Sequence, residues 1–495
     1  MSETLLPEGV TLRHPDKLFI GGEWVSPASG STIEIVSPNS EQVVAFVGEA
    51  GEADMDAAVA AAREAFDHGP WSTMKPAERA AKMQAMLDWL KARHGEIALC
   101  QTAQMGALST MAPFLVAGGS ETLERTIGYA GQFEWVKRRE TSVPGKTAFI
   151  AYEPVGVVAC IAPWNVPYST MMGKVAPALI SGCTIIMKPS PETPLEAYFI
   201  AEAAEAAGIP AGVVNLVPSH RDAADYLVRR PGVDKISFTG STVAGRRIAS
   251  VAGDRIARVT LELGGKSAAI VRDDMPTDVA AKILGRTITM LSGQICATLS
   301  RAIVPAARHD EIADAIAAEM KLVKIGYSDD PATEMGPLAM KRQLDRVEDY
   351  IAKGKQEGAE LVTGGQRPSH LNRGFFIEPT LFADVDNKSA IAQEEIFGPV
   401  LSLIKADDED HAIALANDTI YGLNNSVLTQ DADAAYRIAR QLRSGGFNQN
   451  GLGADFALPF GGFKQSGIGR EGGLEGLHAY LESKTMLLDA EPAAL

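Results

Sequence analysis

The amino-acid sequence predicts an α/β protein organised around parallel sheets. Across residues 155–262, short apolar runs alternate with amphipathic stretches of helical length, which is typical of strands joined by crossover helices. One of these stretches begins with the motif TPLE at Thr193, which we interpret as a capping box with proline at the first helical position, and Gly208 suits its end. A second series of strands and helices follows over about 265–463. A chain of 495 residues is expected to form two or three domains.

The elements of the first series can be placed from their apolar spacing. The predicted strands are 155–161, 184–188, 213–217, 235–238 and 258–262, and the predicted helices between them are about 169–180, 194–207, 222–229 and 242–251. Ligands of a parallel sheet bind beyond the carboxyl ends of its strands. Three distinctive motifs fall at such ends: APWN up to Asn165, KPS from Lys188, and TGST from Thr239.

The elements outside this alternation are shorter or purely helical. Residues 17–25 read as a hairpin about Gly21 and Gly22, and residues 33–47 as further short strands. Helical spacing begins near Glu52 and stops at about Gly106. Residues 138–152 read as a protruding hairpin about a Pro-Gly turn, and the final extended run lies within 467–488.

The composition excludes several classes of function. A net charge of -16 argues against general binding to nucleic acid or to an anionic membrane surface. The first twenty residues have no basic-then-apolar signal, and no apolar run reaches membrane-spanning length, so we expect a soluble, unprocessed protein. The cysteines have no close pair spacing, which predicts neither disulfides nor a thiolate metal site; they are Cys100, Cys160, Cys183 and Cys296. Eight scattered histidines also suggest no metal, and the cytoplasm is the expected location.

Two segments carry candidate chemistry. Cys296 lies in the motif SGQICA, where a nearby glycine permits a tight backbone approach and a backbone amide could serve a reacting carbonyl; inert packing is the alternative for an isolated cysteine. Glu262 ends an apolar run in the motif LELGGK, where it could be a general base with a raised pKa or merely precede a surface turn. An ordinary thiol is a few per cent ionised at neutral pH, so a helix end or Glu262 must assist its deprotonation.

Together, LELGGK and GQIC have the form, order and approximate separation of motifs in the aldehyde dehydrogenase superfamily, which the chain resembles over nearly its whole length. This resemblance implies a Rossmann-type parallel-sheet cofactor domain at 1–137 and 153–264, and an α/β catalytic domain at 265–463. It also implies a small β oligomerisation arm made of residues 138–152 and 464–495. The expected assembly is a homodimer or a homotetramer.

The resemblance also implies the catalytic roles. Cys296 would attack the aldehyde, Asn165 would stabilise the oxyanion of the thiohemiacetal, and Glu262 would activate water to hydrolyse the thioester. Glu471 and Lys174 match positions associated with proton transfer, although structural roles fit them equally well.

The cofactor implied by the resemblance is NAD, with NADP possible. On spacing alone, the TGST turn is as well explained by structure as by phosphate binding. The resemblance places Ser241 near the pyrophosphate, Lys188 at the adenosine ribose, and Glu395 with Phe397 at the nicotinamide ribose. The full set of expected cofactor residues is Ile161, Trp164, Lys188, Gly240, Ser241, Gly245, Leu263, Glu395 and Phe397. Two departures weaken the preference between the cofactors: Pro191, with Glu192 beside it, replaces a carboxylate often found three residues after the lysine, and SHR at 219–221 replaces a glycine-rich turn.

The residues expected to line the aldehyde tunnel are Val166, Gly173, Ile295, Leu458 and Phe460. Gly173 removes a side chain from the tunnel wall, while its neighbours are apolar. We therefore expect a bulky hydrophobic aldehyde, either aromatic, terpenoid or long-chain, and poor use of betaine aldehyde because no aromatic cage is evident. The alternative is that other side chains fill the space and leave a narrow tunnel.

Three rival functions differ from this one. A CoA-acylating dehydrogenase would replace water by a thiol, and the presence of Glu262 counts against it. A cysteine acyl hydrolase or transferase without nicotinamide needs a histidine, and none stands in a motif comparable to those around Cys296. A non-catalytic scaffold would have no need to retain both Cys296 and Glu262.

Overall fold

The computed structural model of the chain describes residues 5–492, which form two large sheets, a three-stranded sheet and a separate two-stranded hairpin. The first part of the chain contains β1 Leu18–Ile20, β2 Glu23–Val25, β3 Thr32–Val36, β4 Val43–Gly48, α1 Glu52–Asp67, α2 Pro76–Ala92, α3 His94–Met105, α4 Ala112–Gln132, β5 Val136–Arg139 and β6 Thr147–Pro154. The predicted N-terminal hairpin is confirmed, since Gly21 and Gly22 have φ of 64° and 87° and join β1 to β2. The predicted helix stop at Gly106 is also confirmed, with φ 81°.

The first large sheet contains the predicted alternation. Its elements are β7 Val157–Ile161, α5 Pro167–Ser181, β8 Thr184–Lys188, α6 Leu195–Ala206, β9 Val214–Leu216, α7 Arg221–Arg229, β10 Lys235–Thr239, α8 Thr242–Asp254 and β11 Arg258–Glu262. The five strands are parallel in the order β11-β10-β7-β8-β9, and β1 and β2 extend the sheet beyond β9. The chain therefore reverses its winding between β7 and β10. A crevice opens for a ligand at such a switch point, beyond the carboxyl ends of the two strands.

The predicted capping box at the start of α6 is wrong. The helix begins at Leu195, with Pro194 before it, and the Thr193 hydroxyl lies buried without a hydrogen-bond partner among the described residues. The Glu196 carboxylate does not return to the helix start, because it accepts a hydrogen bond from the Gln104 side chain. Gln104 also accepts from the Leu195 amide at 3.4 Å, so a side chain on α3 caps this helix.

The second large sheet confirms the second predicted series. Its elements are β12 Ser267–Val271, α9 Thr277–Thr289, β13 Leu299–Pro305, α10 His309–Lys321, α11 Lys341–Gln356, β14 Glu360–Thr363, β15 Thr380–Ala383, α12 Ala390–Gln393, β16 Val400–Ala406, α13 Glu409–Asn417, β17 Asn424–Leu428, α14 Ala432–Ala439 and β18 Gly446–Gln449. The strand order is β14-β15-β16-β13-β12-β17-β18, and only the pairing of β14 with β15 is antiparallel. Alternate residues of β12 belong to different hydrophobic clusters, so apolar side chains cover both faces of this sheet.

The C-terminal segment serves two sheets. It contains β19 Gly467–Ile468, α15 Gly473–His478 and β20 Leu481–Leu488. β20 pairs antiparallel along the length of β6, and β5 pairs with the other edge of β6, which confirms the predicted hairpin. β19 instead pairs with the end of β11, so part of the segment predicted as an arm completes the first large sheet beside Glu262. The role of the arm in oligomerisation stays a prediction.

Candidate active site

Cys296 lies in a constrained loop between a short 3-10 turn, Met290–Gly293, and β13. Leu291, Ser292 and Gly293 all have positive φ, at 45°, 56° and 71°, a conformation that side chains rarely adopt. The Ser292 hydroxyl donates to the Gly336 carbonyl at 2.7 Å, and a Cβ on Gly293 would lie 2.3 Å from the Gly398 carbonyl group. Contacts with distant parts of the chain therefore hold the loop, and glycine is required at residue 293.

Gln294 braces the thiol loop and joins it to Asn165. Its side-chain amide donates to the Leu291 carbonyl and accepts from the Ala339 amide, both at 2.9 Å. Its backbone carbonyl accepts a hydrogen bond from Asn165 Nδ2 at 2.9 Å. Asn165 follows β7 and is buried, so the predicted oxyanion donor is fixed to a residue two positions before the predicted nucleophile.

Glu262 ends β11 and is 3% exposed. Neither of its carboxylate oxygens has a hydrogen-bond partner among residues 5–492. Burial raises the pKa of Glu262 well above its ordinary value, and the carboxylate of Glu471 adds to the shift. The strand-end position is as predicted, whereas the alternative of a solvated surface turn is wrong because this end of β11 is covered by β19 and its flanking loops.

A buried ion pair lies beside Glu262. Lys174 on α5 is fully buried and donates to Glu471, and it also donates to the Thr239 hydroxyl at 2.6 Å. Thr239 is directly opposite Glu262 in the pairing of β10 with β11. The structure therefore brings together Glu262, Glu471 and Lys174 from three separate parts of the sequence.

The two glycines of LELGGK explain how the functional segments approach one another. A Cβ on Gly264 would lie 2.3 Å from the Glu395 carboxylate, and a Cβ on Gly265 would lie 2.4 Å from the Cys296 carbonyl oxygen. The Gly265 amide also donates to Glu395 at 3.1 Å. These glycines let the strand that carries Glu262 contact both the thiol loop and the loop that carries Glu395.

The thiol is strongly protonated in this environment. Burial raises the pKa of Cys296 to about 12, and the carboxylates of Glu395 and Glu262 act in the same direction. The backbone amides of Ala297 and Cys296 act in the opposite direction. Cys296 precedes β13 and no helix begins at the cysteine itself, so the assistance of a helix end or of Glu262 in its deprotonation stays a prediction.

The start of α8 has the geometry of an anion-binding turn. Ser241 caps the helix, its hydroxyl accepting from the Ala244 amide at 3.3 Å. A Cβ on Gly240 would lie 2.5 Å from the Phe238 ring, and a Cβ on Gly245 would lie 2.4 Å from the Leu263 side chain. Gly240 therefore keeps the turn compact, and Gly245 lets α8 pack closely against Leu263, the residue after β11.

The loop that carries Glu395 and Phe397 is held by α11. Gln343 donates to the Phe397 carbonyl at 2.7 Å, and Arg346 donates to the carbonyl of Glu395. Phe397 has φ 62° and meets the Trp164 ring edge-on, with centroids 5.2 Å apart. Burial raises the pKa of Glu395 to about 7.

Sequence reasoning missed both α11 residues. The available signal was Gln343, a polar residue on the apolar face that this helix presents through Val347 and Tyr350.

Lys188 lies at the end of β8 and is buried, so the alternative of a solvated strand-end lysine is wrong. Burial lowers its pKa to about 8. Glu192 accepts hydrogen bonds from Ser190 and from Arg342, which comes from α11. Ile161, at the end of the adjacent strand β7, is also buried. This part of the site therefore combines two cations with one carboxylate.

The predicted substrate residues have different surroundings. Val166 precedes α5 and Ile295 precedes the thiol, and both are half-buried. Phe460 exchanges backbone hydrogen bonds with Glu471 at 2.6 and 2.8 Å, whereas Leu458 is 61% exposed. A Cβ on Gly173 would lie 3.4 Å from the Glu471 carboxylate. The position of Gly173 therefore borders the Lys174–Glu471 pair, a neighbour that the sequence did not indicate.

The fold has the parallel-sheet architecture typical of nucleotide-binding enzymes, and its candidate site contains a cysteine. The Cys296 loop, the buried Asn165 amide and Glu262, whose carboxylate has no hydrogen-bond partner within residues 5–492, meet beside the switch point of the first large sheet. Residues 24–486 match the model of the aldehyde dehydrogenase family. The chain belongs to this family, and is therefore an oxidoreductase that acts on aldehydes.

Known relatives cover nearly the whole chain. Geranial dehydrogenase of Castellaniella defragrans is 42% identical over 97% of this chain and 100% of its own. A crystal structure of an aldehyde dehydrogenase from Mycobacterium tuberculosis, complexed with NAD+, is 42% identical with a TM-score of 0.93, covering 98% of this chain and 100% of that chain. A mutant of aldehyde dehydrogenase C from Pseudomonas syringae, complexed with NAD+ and octanal, is 37% identical with a TM-score of 0.93 and the same coverage of both chains.

The described residues contain neither a candidate metal cluster nor a helix that could span a membrane. Residues 5–492 contain no group of three or more His, Cys, Asp or Glu side chains arranged to hold a metal ion. Within the same residues, every helix is too short or too polar to cross a membrane.

Proposed function

We propose that the protein oxidises a bulky hydrophobic aldehyde to its carboxylic acid with NAD, through a covalent intermediate on Cys296. The observation that carries this proposal is the convergence of the Cys296 loop, Asn165 and Glu262 in one site, where the Glu262 carboxyl group has no hydrogen-bond partner in the described part of the chain. The NAD+ complexes of similar structures support the choice of cofactor.

The first step is attack by the Cys296 thiolate on the aldehyde carbon. Because burial raises the pKa of the thiol to about 12, its proton must be removed as the substrate arrives. We assign this role to an ionised Glu262, whose charge acts on the thiol and whose carboxylate has no hydrogen-bond partner within residues 5–492. Attack converts the carbonyl oxygen into an alkoxide. Asn165 Nδ2 and the Cys296 backbone amide would stabilise that charge, which is the role of a fixed pair of N–H donors.

The second step breaks the bond between carbon and hydrogen. A bound NAD would supply the acceptor for this hydride, and the loss of the hydride would leave a thioester on Cys296. The helix start at Ser241 fits a pyrophosphate, and the carboxylate of Glu395 fits ribose hydroxyls. The bonds from Gln343 and Arg346 hold the Glu395 loop in place, so the substrate carbon and the cofactor would be oriented by a preformed site.

The last step is hydrolysis of the thioester. Glu262 must first pass the proton that it took from the thiol to solvent. Its carboxylate then takes a proton from a water molecule as the water oxygen attacks the acyl carbon, the carbon–sulfur bond breaks, and the thiolate returns with release of the acid. Overall, an aldehyde, NAD+ and water give a carboxylate, NADH and two protons. A raised pKa suits Glu262 to this role, because a more basic carboxylate accepts a proton from water more readily.

The preference for a bulky substrate rests on the missing side chain at Gly173 and on the apolar residues Ile295 and Phe460 nearby in the proposed tunnel. The similarity to geranial dehydrogenase and to an octanal complex supports the same preference. An aromatic or terpenoid aldehyde would bury more apolar surface than acetaldehyde, and at about 25 cal/mol per Å² it would gain about ten- to a hundredfold in kcat/KM.

An aldehyde panel tests this proposal. NADH formation at 340 nm should give the largest kcat/KM for benzaldehyde, a terpenoid aldehyde or a long-chain aldehyde, and a small value for acetaldehyde and betaine aldehyde. Gly173→Trp should reduce use of the bulky aldehydes while sparing acetaldehyde. Acetaldehyde turnover serves as the control: if it is retained, the tryptophan has not disrupted the Lys174–Glu471 pair beside residue 173. The proposal of an open tunnel would be contradicted if the wild type preferred acetaldehyde. It would also be contradicted if Gly173→Trp left kcat/KM for the bulky aldehydes unchanged.

The assembly and location complete the proposal. The sheet formed by β5, β6 and β20 supports a role as an arm between subunits of a homodimer or homotetramer. The free thiols of the four cysteines support action in the reducing cytoplasm. Sedimentation analysis would measure the assembly directly.

A further inference from the structure

Arg342 reaches from α11, in the second half of the chain, to the segment that follows β8 in the first large sheet. Its guanidinium donates to the Glu192 carboxylate, and the two side chains are 64% and 18% exposed. Glu192 lies four residues after Lys188, the residue proposed at the adenosine ribose. The pair therefore sits at the rim of the proposed cofactor site.

The charges at this rim leave a net positive site. Although burial acts to raise it, the pKa of Glu192 is held below its ordinary value by the hydrogen bond and charge of Arg342 and by the Ser190 hydroxyl. Glu192 is therefore ionised at neutral pH and is already paired. Lys188 and Arg342 provide two positive charges against this one carboxylate, while the neighbouring Pro191 has no charge of its own.

We infer that Arg342 is a specificity-determining residue that lets this enzyme accept the 2′-phosphate of NADP. The inference rests on the proposed function, which puts the adenosine ribose at Lys188. A 2′-phosphate carries about two negative charges, and arginine binds phosphate and carboxylate groups with similar two-pronged geometry. Because Arg342 is more than half exposed, its bond to Glu192 is weak and can be exchanged for a phosphate at small cost.

Arg342 would act in two ways. It would bind the phosphate directly, and it would neutralise Glu192, whose carboxylate would otherwise repel the phosphate. Removing Arg342 should therefore affect NADP far more than NAD, whereas removing the charge of Glu192 should favour NADP.

Calorimetric binding of 2′,5′-ADP and 5′-AMP to the full-length protein tests the inference without turnover. Arg342→Ala should lower the affinity for 2′,5′-ADP by about tenfold or more and change the affinity for 5′-AMP by less than about twofold. Arg342→Lys should lower the affinity for 2′,5′-ADP less than Arg342→Ala does, and Glu192→Gln should raise it. The matched control is Lys341→Ala, which removes an exposed cation from the adjacent position of the same helix, where it pairs with Asp345.

The outcomes separate this inference from the proposed function. If both probes bind, displace NAD and respond equally to Arg342→Ala and Lys341→Ala, Arg342 does not set specificity, while the cofactor site stands. If neither probe binds and NAD does not bind, both proposals are wrong. The ratio of kcat/KM for NADP to that for NAD should fall in Arg342→Ala by the same factor as the ratio of affinities; an unchanged ratio would also overturn the inference.

Discussion

Glu262 and Glu192 are two largely buried glutamates at different ends of the proposed cofactor cleft, and their environments shift their pKa values in opposite directions. Glu262 has no hydrogen-bond partner among the described residues, and burial raises its pKa well above the ordinary value. At Glu192 burial acts in the same direction, but Arg342 and Ser190 reverse the shift and lower the pKa.

The difference shows that the partner, rather than burial, decides what each carboxyl group can do. A buried carboxyl group without a partner favours its neutral form and can exchange a proton near neutral pH, which suits a general base. A carboxylate paired with arginine stays charged near neutral pH and does not exchange its proton there, so its influence on a ligand is that of a fixed charge. The following predictions test this division, from the largest expected effect to the smallest.

The largest effect is expected at Cys296, the proposed nucleophile. Cys296→Ala should lower kcat by about 10⁴-fold or more, because no covalent intermediate can form. NADH formation with a saturating aldehyde measures it. Cys160→Ala is the matched control, since Cys160 is fully buried in β7 and burial raises its pKa to about 12 without any proposed role. Equal activity of the two variants would rule out Cys296 as the nucleophile.

A smaller loss is expected at the oxyanion donor. Asn165→Ala should lower kcat by about 10²–10³-fold, the usual effect of removing one donor from an oxyanion hole. The same change removes the bond to the Gln294 carbonyl, so the thiol loop must be checked separately. Thiol labelling of Cys296 serves this purpose. A labelling rate close to wild type with unchanged kcat would contradict the oxyanion role.

Glu196 is a third buried glutamate, and the pH dependence of the free energy of unfolding tests its protonation state. Burial raises the pKa of Glu196 to about 8, from 4.5 in the unfolded chain, and Gln104 donates to it. The folded state therefore binds this proton more tightly, so the free energy of unfolding should fall as the pH rises from about 5 to 8. Glu196→Gln should gain about 2–4 kcal/mol relative to wild type across this interval.

Urea unfolding at pH 5 and pH 8 measures that change. Glu64→Gln is the control, because Glu64 lies on the exposed face of α1 and should show no pH-dependent difference. A Glu196→Gln variant whose stability relative to wild type is the same at both pH values would show that Glu196 is ionised in the folded protein.

Local patterns predicted most of the elements that position the site. The apolar run that ends at Glu262 and the glycines after it gave both the strand and its boundary. The same is true of the hairpin at Gly21 and Gly22 and of the helix stop at Gly106, since each depends on a few neighbouring residues. The motifs at the ends of β7, β8 and β10 were brought to one edge of the sheet, as parallel pairing requires.

The features that sequence reasoning missed depend on contacts between distant segments. The cap of α6 comes from Gln104 on α3, so the local TPLE motif was misleading. The thiol loop is held by Gln294 through the Ala339 amide and Asn165, and Glu192 is held by Arg342. Nothing in the local spacing specifies such partners. The raised pKa of Glu262 likewise depends on the tertiary structure, because the fold brings no hydrogen-bond donor from the described residues to its carboxylate.

The most direct test of the account is rapid mixing of Glu262→Gln with an aldehyde and NAD. If Glu262 is the base for thioester hydrolysis, the variant should produce a burst of NADH of about one equivalent per active site and then turn over about 10²–10⁴-fold more slowly than wild type. Glu192→Gln, the matched change at the paired glutamate, should retain NAD turnover within about threefold. Wild-type steady-state turnover by Glu262→Gln would contradict the account.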